Sequence, residues 1–231
     1  MIIVSNSIPK SGSSYRFRCE KGLLRLSGKR NGQARIEKFI RWGFVERFDL
    51  KTCALILYVN CIAGSFVVKT HARPNKYIKL LSAVGLARIT FSYRHPFDVI
   101  LSAMDHHRKS EAGIDKTGAF LNHADATTSA GIVKNYFKNF FLWSQVRKTI
   151  FVRYEDFVTA PDDYLKRLNA VLNLGIEDED ILRFISEMEA QKQTFWNFNK
   201  GVTFRYRKDA DPAQVEKWQI LFADELKALG Y

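Results

Sequence analysis

Apolar residues along the chain fall into two kinds of run. Short runs rich in Ile, Val and Phe occupy Ile2–Ile8, Ser65–Thr70, Arg88–Tyr93 and Thr149–Tyr154, and each ends in polar or charged residues. Such runs read as buried strands. Between them the apolar positions recur at helical spacing. Ser13–Leu26 carries Phe17, Leu23 and Leu24 behind a serine-rich start, and Phe97–His107 follows Pro96 at a plausible first helical position. Ile132–Val146 shows a broad stripe that includes Phe137, Phe140 and Trp143. Asp162–Leu172, Asp180–Met188 and Pro212–Leu229 complete the helical set. Val45–Gly64 fits either a strand or a helix. Strands that alternate with helices predict an α/β fold, a central parallel sheet with helices on both faces.

Composition narrows the class. The 231 residues contain no linker-like or repetitive stretch, which favours one domain over 1–231. Apolar residues make up 46% and aromatics 13%, enough for a real core and against disorder. Lys and Arg exceed Asp and Glu by 36 − 24 = 12, so the expected partner is anionic. The longest apolar run, Cys53–Val59, falls far short of the ~20 residues of a membrane helix. The N-terminus lacks the basic and apolar regions of a signal peptide. Cys19, Cys53 and Cys61 are odd in number with no Cys-x-x-Cys pair, which predicts free thiols in a reducing, cytoplasmic setting.

Two strand–helix junctions carry the candidate chemistry. Ile8-Pro9-Lys10-Ser11-Gly12-Ser13-Ser14-Tyr15 follows the first strand and opens a helix. Unpaired N–H groups and the helix dipole favour an anion there. Gly12 lets backbone approach a phosphate, Ser11, Ser13 and Ser14 add hydroxyls, and Lys10 adds a charge. The segment is not the usual ATP/GTP loop, because the lysine precedes the glycine and the first glycine is missing. The second junction is Arg94-His95-Pro96-Phe97-Asp98-Val99, with Ser102 eight residues after Arg94. Arg94 at a strand's carboxyl end and Ser102 one to two turns into the helix could together hold a second phosphate.

With these segments in view, the chain resembles the sulfotransferases that use 3′-phosphoadenosine 5′-phosphosulfate, nearest the cytosolic type. Pro9–Ser14 resembles their 5′-phosphosulfate loop, and Val68-Lys69-Thr70-His71 the Lys-Thr/Ser-His segment with the catalytic histidine. Tyr93–Val99 through Ser102 resembles the 3′-phosphate motif. Arg153-Tyr154-Glu155-Asp156-Phe157 resembles the Tyr-Glu-Asp stretch near the adenine, and Asn199-Lys200-Gly201 the late Arg-Lys-Gly motif. The five occur in the family's order. Three departures stand out. Asn199 replaces the usual arginine, for which Arg205 or Arg207 could substitute. Tyr15 stands where a tryptophan often stacks on adenine. Almost nothing precedes the first strand, where the family has a segment that helps wall the acceptor pocket.

The resemblance implies a P-loop-like three-layer fold and in-line transfer of a sulfuryl group to a hydroxyl or amine. His71 is then the general base, and Lys10 and Lys69 stabilise the transition state. Lys10, Ser11, Gly12, Ser13, Ser14, Tyr15, Arg94, Ser102, Tyr154, Lys200 and Gly201 bind the donor nucleotide. No metal is needed, and no nucleic-acid partner is expected. An unperturbed imidazole pKa of ~6.5 suits the base. Glu46 is a minor rival for that role. Two other functions compete: an ATP-dependent phosphotransferase with an altered loop, and a basic nucleic-acid-binding domain. The acceptor is not specified, although Val45–Gly64 and Phe195–Phe204 are apolar enough to line its pocket.

Overall fold

The computed structural model describes residues 1–114, 120–191 and 201–231. Five strands, β1 (Ile2–Ser7), β2 (Phe44–Val45), β3 (Phe66–Thr70), β4 (Ala87–Tyr93) and β5 (Thr149–Arg153), form one sheet in the order β2-β3-β1-β4-β5. Every pairing is parallel. The four strand runs of the sequence are therefore present, and each boundary agrees to within a residue. Parallel strands are covered on both faces, which explains their near-continuous apolar sequences.

The period-2 alternation splits the core in two. Ile2, Val4, Phe66, Val68, Ile89 and Phe91 face one layer, and Ile3, Val67 and Val152 face the other. The first layer includes α3 (Leu50–Ala63), α4 (Lys76–Ala83), α5 (Pro96–Glu111) and α6 (Ala126–Ser144). The second includes α1 (Ser13–Leu26), α8 (Pro161–Leu172) and α9 (Asp178–Ala190). α2 (Gln33–Phe39) and α7 (Tyr154–Thr159) are short connectors that lacked a clear apolar period.

Caps explain where sequence and structure differ. The ambiguous Val45–Gly64 divides into the end of β2 and α3, because Asp49 accepts from the Thr52 amide at 2.8 Å and starts the helix. α6 begins six residues before Ile132, because Asp125 accepts from the Thr127 and Thr128 amides. The expected helix Pro212–Leu229 breaks at Phe222. Fully buried and outside helical geometry, Phe222 turns the chain between α11 (Pro212–Leu221) and α12 (Ala223–Leu229). The short α10 (Tyr206–Asp209) precedes them. Among the described residues no disulfide forms: Cys19 and Cys53 are buried, and Cys61 is exposed.

Candidate active site

β1 lies at the centre of the sheet, so its carboxyl end is flanked by those of β3 and β4. The chain leaves it through Ile8–Gly12 into α1. Two left-handed residues curl this loop, Lys10 at φ 68° and Gly12 at φ 73°. Glycine is required at the second position. A Cβ there would lie 2.8 Å from Tyr154 Cε2 and 2.9 Å from Cδ2. Among the described residues no side chain caps α1, whose N-cap is Gly12, so its first turn offers the backbone polarity that suits an anion. The expected hydroxyl donors differ in use. Ser11 is buried, and its hydroxyl donates to the Ile8 carbonyl at 2.6 Å and lies 3.1 Å from the Ser92 carbonyl. It ties the loop to the strand ends, so its hydroxyl is already spent on protein. Ser14 Oγ accepts from Lys69 Nζ at 2.7 Å.

Beneath the loop is a polar network that the sequence reading missed. Arg16 and Glu20, both fully buried, pair at 2.5 Å. Arg16 also donates to Thr90 Oγ1 and to the Asn6 carbonyl. Thr90 and the Tyr164 hydroxyl donate to Glu20 Oε1 at 2.7 and 2.6 Å. A signal existed: Arg16 and Glu20 stand in helical phase with the buried Leu23 and Leu24 rather than with the outer face.

Register brings the next two candidates to the same place. Ser5 pairs with Lys69 and Asn6 with Thr70, so His71 emerges level with Ser7. His71 Nδ1 lies 3.1 Å from both the Ser7 carbonyl and the Ser7 hydroxyl. A carbonyl can only accept, so Nδ1 carries the hydrogen and Nε2 keeps its lone pair. Burial, reinforced by Lys69, pushes the imidazole pKa down to about 4. This corrects the expectation of an ordinary histidine: the ring is already in its basic form at neutral pH. Burial, with Arg16 and Arg18, lowers Lys69 to about 8, so it remains mostly protonated at neutrality. Phe44 packs on the His71 ring at 5.8 Å. Glu46 is exposed, one residue beyond the Val45–Thr70 pairing.

Lys10 is turned elsewhere. Its Nζ lies 3.2 Å from His106 Nδ1 on α5 and 5.0 Å from the centre of the Phe120 ring. Lys69 thus reaches the first turn of α1 and His71 is held at the carboxyl end of β1, whereas the Lys10 side chain leans toward α5.

The third cluster surrounds Arg94, just past β4. Arg94 Nη2 donates to Asp98 at 3.1 Å and to the Val202 carbonyl at 2.6 Å, and its guanidinium lies 4.3 Å over the Tyr154 ring. Its Nε has no hydrogen-bond partner among the described residues. Tyr154 therefore lies against both Gly12 and Arg94. Asp98 was expected only to suit the helix start. It also accepts from the Tyr206 amide at 3.1 Å and so joins Arg94 to α10. Ser102 is buried one turn beyond Asp98. Gly201, at φ 67°, leads into Val202. Asn199, Lys200 and most of Phe195–Phe204 lie outside the described residues. Of the two expected substitutes, Arg205 pairs with Asp105 at 2.6 Å, on the Ser102 side of α5. Arg207 is exposed over Phe204. Tyr15 donates to Glu189 and packs against Phe157 at 5.6 Å.

The parallel five-stranded sheet, with its glycine-containing loop running into α1, is the P-loop-like fold of the sulfotransferases. Mouse sulfotransferase SULT7A1 complexed with PAP is similar at a TM-score of 0.64 and 16% identity, over 98% of this chain and 84% of that one. Retinol dehydratase with androsterone and the inactive cofactor PAP is similar at 0.61 and 13%, over 98% and 80%. Retinol dehydratase with retinol and PAP gives 0.60 and 14%, over 98% and 81%. No protein-family model matches the chain, and no curated protein matches it in sequence. Among the described residues, no helix is long and apolar enough to cross a membrane.

Proposed function

We propose that the chain, acting as one sulfotransferase unit, moves the sulfuryl group of 3′-phosphoadenosine 5′-phosphosulfate to a hydroxyl or amine of an acceptor. One observation carries this reading. A neutral histidine held by Ser7 at the carboxyl end of β1, and a half-buried lysine bonded to Ser14 in the first turn of α1, stand at the same end of the sheet. Attack by the acceptor oxygen forms the new S–O bond as the bond to the bridging phosphate oxygen breaks, and that oxygen leaves with the electron pair. His71 Nε2 takes the acceptor's proton. Lys69 meets the negative charge growing on the leaving oxygen, where a desolvated cation acts most strongly. Lys10 joins it by turning away from His106. The donor carries roughly four negative charges, which suits a chain with a net charge of +12.

Recognition of the 3′-phosphate falls to Arg94 and Ser102, with Lys200, Gly201 and Arg205 from the late segment. Arg94 gives up its bond to the Val202 carbonyl for the phosphate, while Asp98 keeps the guanidinium aimed. Tyr154 and Tyr15 flank the adenosine. The test is calorimetric binding of 3′,5′-adenosine bisphosphate against AMP. The bisphosphate should bind far more tightly, and Arg94→Ala should remove most of that preference, ~1.5–3 kcal/mol for a charged hydrogen bond. Equal affinities in the unaltered protein would sink the donor assignment.

A further inference from the structure

One cleft of the molecule serves no step of donor binding or sulfuryl transfer. It encloses about 360 Å³ between α1, the start of α2 and the end of α9. The buried side of α1 carries Phe17, Glu20, Leu23 and Leu24, so Arg18, Lys21 and Arg25 stand together on its outer side, where they line the cleft. Gly22 in the same row lets α9 close in, because a Cβ there would collide with the Phe184 ring. Phe184 and Met188 therefore give the cleft an apolar wall beside its cations. Among the described residues no carboxylate lines it. Glu37 of α2 accepts from Lys21 at 2.6 Å, which offsets one of the three charges and leaves the cleft positive.

The inner end of the cleft adjoins Lys69. Arg18 follows Ser14 by one helical turn, and Ser14 Oγ accepts from Lys69 Nζ at 2.7 Å. Residues four apart on a helix are neighbours, about 5–6 Å from each other. On the sheet side, Gln33 donates to the Val67 carbonyl at 3.1 Å and accepts from the Val67 amide at 2.9 Å. Val67 precedes Lys69 by two residues on β3, on the same face and about 7 Å away. Both walls therefore lead to the proposed transfer centre. The Arg18 charge, after burial and Arg16, also helps lower the Lys69 pKa. Away from that end, Arg25 lies about 10 Å beyond Arg18 along the helix. The donor supplies only roughly four negative charges, so a net charge of +12 leaves room for a second anion.

We propose that this cleft is an acceptor subsite for an acidic oligosaccharide, whose reacting hydroxyl lies at Lys69 and His71 and whose flanking acidic groups lie on Arg18, Lys21 and Arg25. The lining favours a sugar chain over an acidic peptide. Asn31 and Gln191 bring amides suited to hydroxyls, and Phe184 and Met188 bring an apolar wall suited to sugar C–H faces. A peptide is commonly held by strand addition to a sheet edge. The backbone edge nearest the cleft, at Val67, is already bonded by Gln33, and the outer strand β2 is two residues long. The inference rests on the proposal that Lys69 and His71 mark the transfer site, but its test needs no turnover.

The probe is hexagalacturonic acid. Its methyl ester is the same chain without charge, and hexaglutamate is a peptide with a similar charge. Each is titrated into the full chain labelled with ¹⁵N-histidine, with and without saturating 3′,5′-adenosine bisphosphate. The acid should half-saturate at a concentration at least ~10-fold lower than the ester or the peptide, and it should move the His71 ring resonance. Arg18→Gln and Arg25→Gln should each weaken the acid ~3-fold, as expected for exposed ion pairs, and the double variant ~10-fold. Lys217→Gln on α11 removes the same charge far from the cleft and should stay within ~1.5-fold. All three side chains are exposed, so the fold is kept. Equal binding of acid and ester overturns the proposal, and so does hexaglutamate that binds as tightly as the acid. A loss in Lys217→Gln as large as in Arg18→Gln overturns it too, because the acid then reads net charge alone. An acid that the bisphosphate displaces sits in the donor loop, and one that leaves the His71 resonance unmoved is no acceptor. Either result refutes the subsite. Failure of the bisphosphate to bind in the same samples counts against the donor reading alone, because the cleft is titrated without nucleotide as well.

Discussion

Replacing Gly12 by alanine perturbs two things at once, and the structure separates them. A non-glycine residue at φ 73° costs roughly 1–2 kcal/mol in backbone strain. The added Cβ would also lie 2.8–2.9 Å from two Tyr154 ring carbons, about 1 Å inside ordinary carbon–carbon contact. Tyr154 cannot simply swing aside, because the Arg94 guanidinium lies 4.3 Å over its ring. Overpacking of this kind costs ~1–3 kcal/mol. The total is about 3 kcal/mol, which for a chain of this length lowers Tm by about 6–12 °C. A double-mutant cycle isolates the contact. In a Tyr154→Ala background only the backbone strain remains, so Gly12→Ala should cost ~1–2 kcal/mol, with a coupling of ~1–3 kcal/mol. The assay is urea unfolding of the four proteins of the cycle. Gly12→Ala should also weaken 3′,5′-adenosine bisphosphate binding, since displaced Tyr154 pushes on Arg94. Additive costs, within ~0.5 kcal/mol, would show that Tyr154 does not bear on Gly12.

Three further outcomes follow from the same geometry. The pH profile of kcat/KM should rise through about 4 as His71 loses its proton and fall through about 8 as Lys69 loses its charge, leaving a plateau near neutrality. In the kcat profile the acid limb should move upward, because the anionic donor favours the imidazolium. His71→Ala should lower turnover by ~10²-fold or more and abolish the acid limb. An acid limb that persists in that variant assigns the base to another group, with Glu46 the first to test. Glu20→Ala should cost ~3–5 kcal/mol in a urea titration, because it strands the Arg16 charge in the interior. A loss below ~1 kcal/mol would mean that water or another carboxylate reaches Arg16.

Much of the scaffold was legible along the chain because its signals are local. Strand runs, the serine-rich helix start at Ser13 and the His95-Pro96 opening of α5 are written in residues within a few positions of one another. The ordered motifs from Pro9 to Gly201 carried the likeness in fold for the same reason. Local patterning could not choose between strand and helix at Val45–Gly64, where the Asp49 cap decides, nor see the break at buried Phe222. The states of the site residues depended on partners far away in sequence. Ser7 sets the His71 tautomer from 64 residues away. Lys10 meets His106 across 96, and Arg94 meets Val202 across 108. Desolvation of Lys69 and His71, and the buried bond of Tyr164 to Glu20 across 144 residues, arise only when helices from both layers close on the sheet. Burial and electric fields sum over neighbours in space, so the chain by itself determined which residue types stood at the strand ends. The packed structure decided which of them are charged, which are already bonded, and which way they face.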